Sequence, residues 1–290
     1  MKIGIIGGGS IGLLFAGYLA EQHDVTIYTR TEHQANEINK LGVTIEKKNT
    51  SKTYKVQAVV ASASVIGEEI IFIAVKQYIL AEVLSQTSDL EKVQTVCFLQ
   101  NGMSHINMID KLKNPSILLG VVEHGALKIN ESTVIHTGVG RTKLGVFKGK
   151  NEAIDSRLTD FPFEFHENWY EIVTSKLIAN AVINPLTALY RVKNGELLEN
   201  RYFHNQMKTL FHEITRVVPS GGEIWELLTT ILKNTAENKS SMLRDIEEGR
   251  KTEIDAILGY VIDEARKKNE GVVITQFLFD SIKGIERKGG

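Results

Sequence analysis

The chain has 290 residues, 42% of them hydrophobic and 24% charged, which is ordinary for a globular protein with room for two domains. A formal net charge of −1 offers no basic field to nucleic acid or to an anionic membrane surface. The single cysteine, Cys97, excludes an intramolecular disulfide, and no His or Cys spacing outlines a metal site.

Ile3, Ile5 and Ile6 form a short apolar run that predicts a buried strand at residues 2–6. Gly7, Gly9 and Gly12 then match G-x-G-x-x-G, and an apolar helix is predicted over 11–21. Strand, glycine turn and helix in that order are the context a dinucleotide fingerprint requires. Gly7 allows the tight turn, Gly9 lets the backbone approach a pyrophosphate, and Gly12 lets helix and strand pack closely. The helix N-terminus offers free N–H groups and its positive dipole end. A glycine-rich turn without a nucleotide is the weaker alternative. The next strand, predicted at 25–28, ends in Thr29 and Arg30. An NAD site usually carries Asp or Glu there, for the ribose 2′-hydroxyl. A guanidinium instead suits a 2′-phosphate, so NADPH is favoured over NADH. Two alternatives stay open: Glu32 as a ribose ligand, and Arg30 as a solvated loop charge.

Further strands are predicted at 43–46, 54–60, 69–75, 95–99 and 117–122, and helices at 32–41, 79–89 and 103–111. Such alternation implies parallel strands with crossover helices. Residues 133–146, rich in Gly and Thr, read as a hairpin closing the first domain. Cys97 falls in the apolar run 93–99 and reads as a buried, inert thiol. Lys76 and the run Gln100-Asn101-Gly102 follow two of these strands, at the carboxyl ends where ligands gather in an open α/β sheet. Lys76 is read as a phosphate or ribose contact, or else as a surface lysine. Asn101 is read as a contact to nicotinamide ribose or substrate, or else as a turn residue.

From Trp169 onward the periodicity is helical: 169–190, 201–218, 224–234, 241–248, 252–268 and 273–283. The expected fold is an α/β Rossmann domain with a doubly wound, mostly parallel sheet (1–167), followed by an all-α domain (168–290). Lys176, Asn180 and Asn184 stand at i, i+4 and i+8 and share one face of a helix that is apolar nearly all round. Buried Lys and Asn are costly without partners, so the stripe reads as a polar site facing a cleft. Partial burial would suit the lysine to general-acid work. The alternative is a solvent-facing stripe. Pro185 predicts a kink just after Asn184. Thr252 reads as an N-cap with Asp255 in the capping-box position, which leaves Glu253 at the first helical residue. Ser241 reads as the N-cap of a short helix. No apolar run is read as approaching the roughly 20 residues of a membrane span. The opening residues lack a cleavage-site pattern, so a cytoplasmic protein is expected.

Together these stretches resemble the ketopantoate reductase (2-dehydropantoate 2-reductase) family over essentially the whole chain. The matching motifs are GGGSIG at 7–12, AVK at 74–76, LQNG at 99–102, HTGVGRTKLG at 136–145, KLIANAVINP at 176–185, SSML at 240–243 and TEID at 252–255. The resemblance implies a Rossmann domain and a helical domain with the active site between them. It implies reduction of 2-dehydropantoate to (R)-pantoate with NADPH, on the pantothenate route to coenzyme A. Lys176 matches the general acid that protonates the keto oxygen. Glu253 matches the carboxylate that holds the substrate hydroxyl and supports the lysine. Asn180, Asn184 and Ser241 match substrate contacts, and Asn101 a residue near both nicotinamide and substrate. The turn Gly7, Gly8, Gly9, Ser10, Ile11 and Gly12, with Arg30 and Lys76, matches the cofactor contacts. Two stretches depart from the family: Gln77 and Tyr78 after Lys76, and the segment 220–232 with Trp225. The implied partner is a small keto acid, without nucleic acid or membrane, and a homodimer is an open option. The competing readings are a related reductase of another 2-keto or 3-hydroxy acid, and a non-catalytic NADPH sensor. A sensor would keep Gly7, Gly9, Gly12 and Arg30 but would not need Lys176 together with Glu253.

Overall fold

The computed structural model describes residues 1–61, 64, 65, 67–150 and 159–288. The chain packs as two units, Met1–Gln100 with Met108–Ile172, and Asn101–Asn107 with Val173–Gly290. The division thus falls a few residues past the boundary read from the sequence, and Asn101–Asn107 joins the second unit.

In the first unit the elements run β1 (Lys2–Ile6), α1 (Ser10–Leu19), β2 (Asp24–Thr29), α2 (Glu32–Leu41), β3 (Val43–Lys47), β4 (Thr50–Tyr54), β5 (Gln57–Val60), β6 (Ile70–Ile73), α3 (Leu80–Gln86) and β7 (Thr95–Phe98). After α4 (Ile106–Ile109) come β8 (Ser116–Val122), β9 (Gly125–Lys128), β10 (Thr133–Gly138), β11 (Thr142–Lys148) and β12 (Phe163–His166). An eight-stranded sheet has the order β12-β11-β8-β7-β6-β1-β2-β5. Its strands are parallel except that β11 meets β8 antiparallel. A second, four-stranded sheet has the order β4-β3-β10-β9.

Two expectations are corrected here. Residues 54–60 are not one strand: β4 pairs antiparallel with β3 in the small sheet, and β5 pairs parallel with β2 in the large one. Residues 133–146 are not a hairpin: β10 pairs with β9 and β3, whereas β11 pairs with β8 and β12. The chain changes sheets at Val139–Arg141, where a Cβ on Gly140 would lie 2.4 Å from the Glu123 carbonyl oxygen.

Helix α1 is buried on every side from Gly12 to Leu19. It touches β1 and β2 of the large sheet and β3, β4, β9 and β10 of the small one. A helix sandwiched in this way needs apolar residues all round. Gly17 marks a close approach to the small sheet, since a Cβ there would sit 2.6 Å from Ile45 Cδ1. Phe15 packs edge-on against Phe72, Phe161 and Phe163. Each such side chain taken fully out of water contributes roughly 1.5–3 kcal/mol. Polar cross-links complete this core: the Tyr18 hydroxyl meets His136 Nδ1 at 2.8 Å, and His136 Nε2 meets His124 Nδ1 at 3.3 Å. Cys97 is buried, as its apolar run implied, and burial holds its thiol protonated.

The second unit holds α5 (Trp169–Tyr190), whose first turn belongs to the first unit. It continues with α6 (Glu196–Glu199), α7 (Arg201–Val217), α8 (Ile224–Asn234), α9 (Ser241–Glu247), a π-helical turn (Asp255–Gly259), α10 (Tyr260–Lys268) and α11 (Val273–Lys288). Contrary to the sequence reading, α5 is long and apolar enough to cross a membrane; 72% of its most apolar window is buried in the protein, as in a core helix. Pro185 lies inside α5, which stays helical to Tyr190. The Thr187 hydroxyl donates to the Ile183 and Asn184 carbonyls at 2.8 and 3.1 Å in that turn. In α7 the buried positions Met207, Leu210, Phe211, Ile214 and Val217 follow helical spacing. Its Glu213 is also buried and accepts the Ile274 and Thr275 N–H groups at 3.2 and 2.7 Å. A carboxylate on the free N–H groups of a helix start is favourable, and here it anchors the first turn of α11.

Candidate active site

The glycine turn is built by close approach. Gly7 has φ +116° and its N–H donates to the Tyr28 carbonyl at 2.9 Å. A Cβ on Gly7 would fall 2.9 Å from Val75 Cγ1, and one on Gly12 only 1.8 Å from the Gly7 carbonyl oxygen. Gly9 differs, because a Cβ there would meet nothing within 4 Å. It is exposed and takes the N-cap position of α1 without any side-chain cap. The turn is therefore tight on its inner face and open on its outer face, where the first N–H groups of α1 stand uncapped. Gln34 supports it: its Nε2 donates to the Gly8 carbonyl at 2.8 Å and to the Glu131 carbonyl at 2.9 Å. Nothing in the local pattern of α2 singled Gln34 out, since its partners are distant in sequence.

The parallel registers Ile6↔Tyr28 and Ile6↔Ile73 bring three strand ends to one edge of the sheet. Gly7 follows β1, Thr29 and Arg30 follow Tyr28, and Ala74–Lys76 follow β6. From β1 the chain steps outward to β2 and β5 on one side, then crosses back from β5 to β6 on the other side of β1, so this is the topological switch point. Arg30 is exposed. The Thr29 hydroxyl fixes its backbone by donating to the Thr31 and Val59 carbonyls at 3.0 and 3.3 Å. Lys76 is half-buried, just before a 3-10 turn (Gln77–Ile79) that leaves Tyr78 exposed. Buried Gln100 fixes this strand end, its Nε2 donating to the Ile73 and Val75 carbonyls at 2.9 and 3.0 Å.

The remaining predicted residues lie in the second unit. On α5, Lys176 and Asn180 are half-buried and Asn184 is buried, in keeping with a polar stripe on an otherwise apolar helix. Asn101 Nδ2 donates to Glu253 Oε2 at 2.9 Å, joining residues that are 152 apart in sequence. Gly102 makes this approach possible. Its φ is +80°, and a Cβ would lie 2.1 Å from the Ala256 carbonyl oxygen. His105, in the same segment, is buried, and burial pushes its imidazole down to about 4, so it is neutral at pH 7.

Two capping expectations are corrected. The Thr252 hydroxyl accepts the Ile254 N–H at 3.2 Å, but Asp255 does not close a capping box. The Thr252 N–H goes instead to Glu286 Oε1 at 2.7 Å, and Asp255 pairs with Lys283 at 3.0 Å. From Asp255 the backbone enters a π-helical turn rather than an α-helix, a feature frequent at functional sites. In α9 the N-cap is Ser240, not Ser241: Ser240 Oγ accepts the Leu243 N–H at 3.1 Å and lies 2.8 Å from the Thr187 hydroxyl. Ser241 is thereby left exposed at the first helical residue. Trp225 packs edge-on against Phe211, 4.9 Å between centroids, and so joins α8 to α7.

Gly102→Ala is expected to cost about 1–3 kcal/mol of stability, from a left-handed backbone and an overpacked contact. The displaced Asn101 is expected to lower kcat by about a hundredfold. Thermal unfolding and steady-state turnover check both; a native-like kcat would show that the Asn101–Glu253 contact is dispensable.

A family model described as ketopantoate reductase PanE/ApbA matches residues 3–149, and one described as ketopantoate reductase PanE/ApbA C terminal matches residues 168–286. The 2-dehydropantoate 2-reductase of Bacillus subtilis (strain 168) is 41% identical, over 99% of this chain and 98% of its own. That of Listeria monocytogenes is 39% identical, over 99% of this chain and 97% of its own. A crystal structure of a probable 2-dehydropantoate 2-reductase from Bacillus subtilis superposes with a TM-score of 0.87 at 39% identity, covering 98% of this chain and 100% of that one.

Proposed function

The chain belongs to the ketopantoate reductase family, and from that premise we propose how its residues reduce 2-dehydropantoate to (R)-pantoate with NADPH. The observation that carries the assignment of roles is the 2.9 Å contact between Asn101 and Glu253, two motif residues far apart in sequence. The product is the pantoate half of pantothenate, on the route to coenzyme A. A cytosolic site of action accords with this reading.

The glycine turn fits a dinucleotide. Its outer face is open at Gly9 while its inner face is closed at Gly7 and Gly12. The uncapped N–H groups of Ser10, Ile11 and Gly12 hold the pyrophosphate, with Gly8 shaping the turn. Arg30 presents a planar fork to the 2′-phosphate. Lys76 adds a point charge at the same sheet edge. The chemistry the bound nicotinamide supplies is hydride transfer to the C2 ketone.

Negative charge then develops on the keto oxygen. Lys176 stabilises that charge and delivers the proton from its Nζ. Glu253 accepts the substrate hydroxyl and supports the lysine ammonium. Asn101 orients Glu253 by donating Nδ2–H to Oε2. Asn180, Asn184 and Ser241 provide neutral donors for the substrate carboxylate and hydroxyl.

The test is NADPH oxidation followed at its near-ultraviolet absorbance with 2-dehydropantoate, then with NADH in its place. Fast turnover with NADPH is the expected outcome. Failure to turn over 2-dehydropantoate, with NADPH binding intact, would redirect the reading to another keto acid or to a sensor. Arg30→Ala is expected to raise the KM for NADPH about tenfold or more, as loss of a charge-assisted contact does, and to leave the KM for NADH nearly unchanged. Equal effects on both cofactors would remove Arg30 from 2′-phosphate recognition.

A further inference from the structure

Glu253 is approached from two directions. Asn101 reaches its carboxylate from the loop after Gln100. Its backbone is gripped from α11, by residues outside every motif that marks the family in this chain. We infer that Glu286 is a positioning residue for Glu253, acting through the backbone N–H of Thr252. The inference rests on the reading of Glu253 as part of the reacting site.

The geometry forms a clamp around one turn. Glu286 Oε1 accepts the Thr252 N–H at 2.7 Å, immediately before Glu253. Glu286 Oε2 lies 3.4 Å from Lys283 Nζ, and that ammonium also donates to Asp255 Oδ2 at 3.0 Å, two residues beyond Glu253. Burial pushes the Lys283 ammonium down, but the Asp255 and Glu286 carboxylates outweigh it and hold the group above its ordinary value. The Lys283 ammonium therefore stays charged at neutral pH. The Glu286 side chain is only 12% exposed, and Thr252 is 1% exposed. Without Glu286 the Thr252 N–H would be buried and unpaired, a state that folded proteins avoid by moving the backbone. A small rotation at Thr252 swings the Cβ of Glu253 directly.

The turn needs such an outside hold. The Glu253 carbonyl accepts two N–H groups, from Ala256 at 3.0 Å and Ile257 at 3.1 Å, and the backbone then runs into the π-helical turn. The clamp residues are themselves fixed, because α11 is anchored at its other end by Glu213. Helix α11 thus acts as a strut from α7 to the Glu253 turn.

The experiment uses the full chain with NADPH and 2-dehydropantoate. Glu286→Ala is expected to lower kcat about ten- to a hundredfold, with the KM for NADPH unchanged. Glu286→Gln keeps an acceptor oxygen for the Thr252 N–H and is expected to restore most of kcat. In the double variant with Glu253→Gln, removing Glu286 is expected to add little to the loss from Glu253→Gln alone, because one residue acts through the other. Native kcat in Glu286→Ala, failure of Glu286→Gln to rescue, or multiplying losses in the double variant would each overturn the inference. Should Glu286→Ala not fold, Glu286→Asp shortens the reach by one methylene and is expected to lower kcat in the same way; a native kcat there overturns it equally. If Glu253→Gln alone turns over like the native enzyme, the reading of Glu253 fails, and that result is visible without any change at Glu286.

Discussion

Lys176→Ala is expected to lower kcat by about 10²–10⁴-fold while NADPH binds as before. The reason lies in where charge appears during the reaction. Hydride arriving at C2 spends its electron pair on the new C–H bond and displaces the carbonyl π pair onto the keto oxygen, and an alkoxide without a proton donor is a poor product. Lys176 sits half-buried on α5, with Leu177 and Val173 buried beside it. On the proposed reading, an ammonium at this half-buried position would need little reorganisation when the charge forms. Lys176→Arg keeps a cation but holds its proton too tightly to release it, so it is expected to recover little. Steady-state kinetics paired with an NADPH fluorescence titration separate turnover from binding. Near-normal turnover in Lys176→Ala would remove the lysine from the proton-transfer role.

The second large effect comes from two glycines three residues apart. Alanine for glycine inside a helix normally stabilises by up to about 1 kcal/mol. At Gly12 the sign reverses. The new Cβ would sit 1.8 Å from the Gly7 carbonyl oxygen, a backbone atom that moves only if α1 lifts away from β1. Gly12→Ala is expected to cost about 1–3 kcal/mol or more and to abolish measurable NADPH binding. Gly9→Ala meets nothing within 4 Å, so stability should change by less than about 0.5 kcal/mol. Its methyl group would stand where the pyrophosphate must come close, so affinity should still fall at least about tenfold. Thermal unfolding and cofactor titration of the two variants form one test. An unchanged melting temperature in Gly12→Ala, or unchanged affinity in Gly9→Ala, would refute the corresponding half.

Much of this architecture is legible in the residues themselves. β1, α2 and α8 fall at the predicted residues, because each has a clear period and clear end signals. What local pattern could not report is which sheet a strand enters. Tyr54, Val56 and Ala58 alternate as smoothly as one strand would, yet the chain passes from the small sheet to the large one between β4 and β5. The same limit hid the split between β10 and β11, since a Gly-rich stretch turns equally well toward one partner or two. The caps failed for a related reason. Asp255 stands at capping-box spacing from Thr252, but a carboxylate 34 residues from Thr252 wins the N–H. The last helix, expected to end at Lys283, continues to Lys288 and carries Glu286 into place. At the site, residue type and helical spacing singled out Lys176, Asn180 and Asn184. The meeting of Asn101 with Glu253 depends on Gly102 docking under Ala256, which only the fold reveals.

The segment Asn101–Asn107 packs with residues that come after Val173, although chain of the first unit lies on both sides of it. On a ribosome delivering about 5–20 residues per second, the first unit emerges well before the partners of this segment exist. Asn101 has to wait for Glu253, and the Thr252 amide for Glu286, four residues from the end of the chain. Contacts of such sequence separation form late, because loop closure is costly before they reward it. A nascent chain stalled short of Glu286 would therefore carry a nearly finished dinucleotide fold while the Thr252–Glu253 turn still lacked its outside hold.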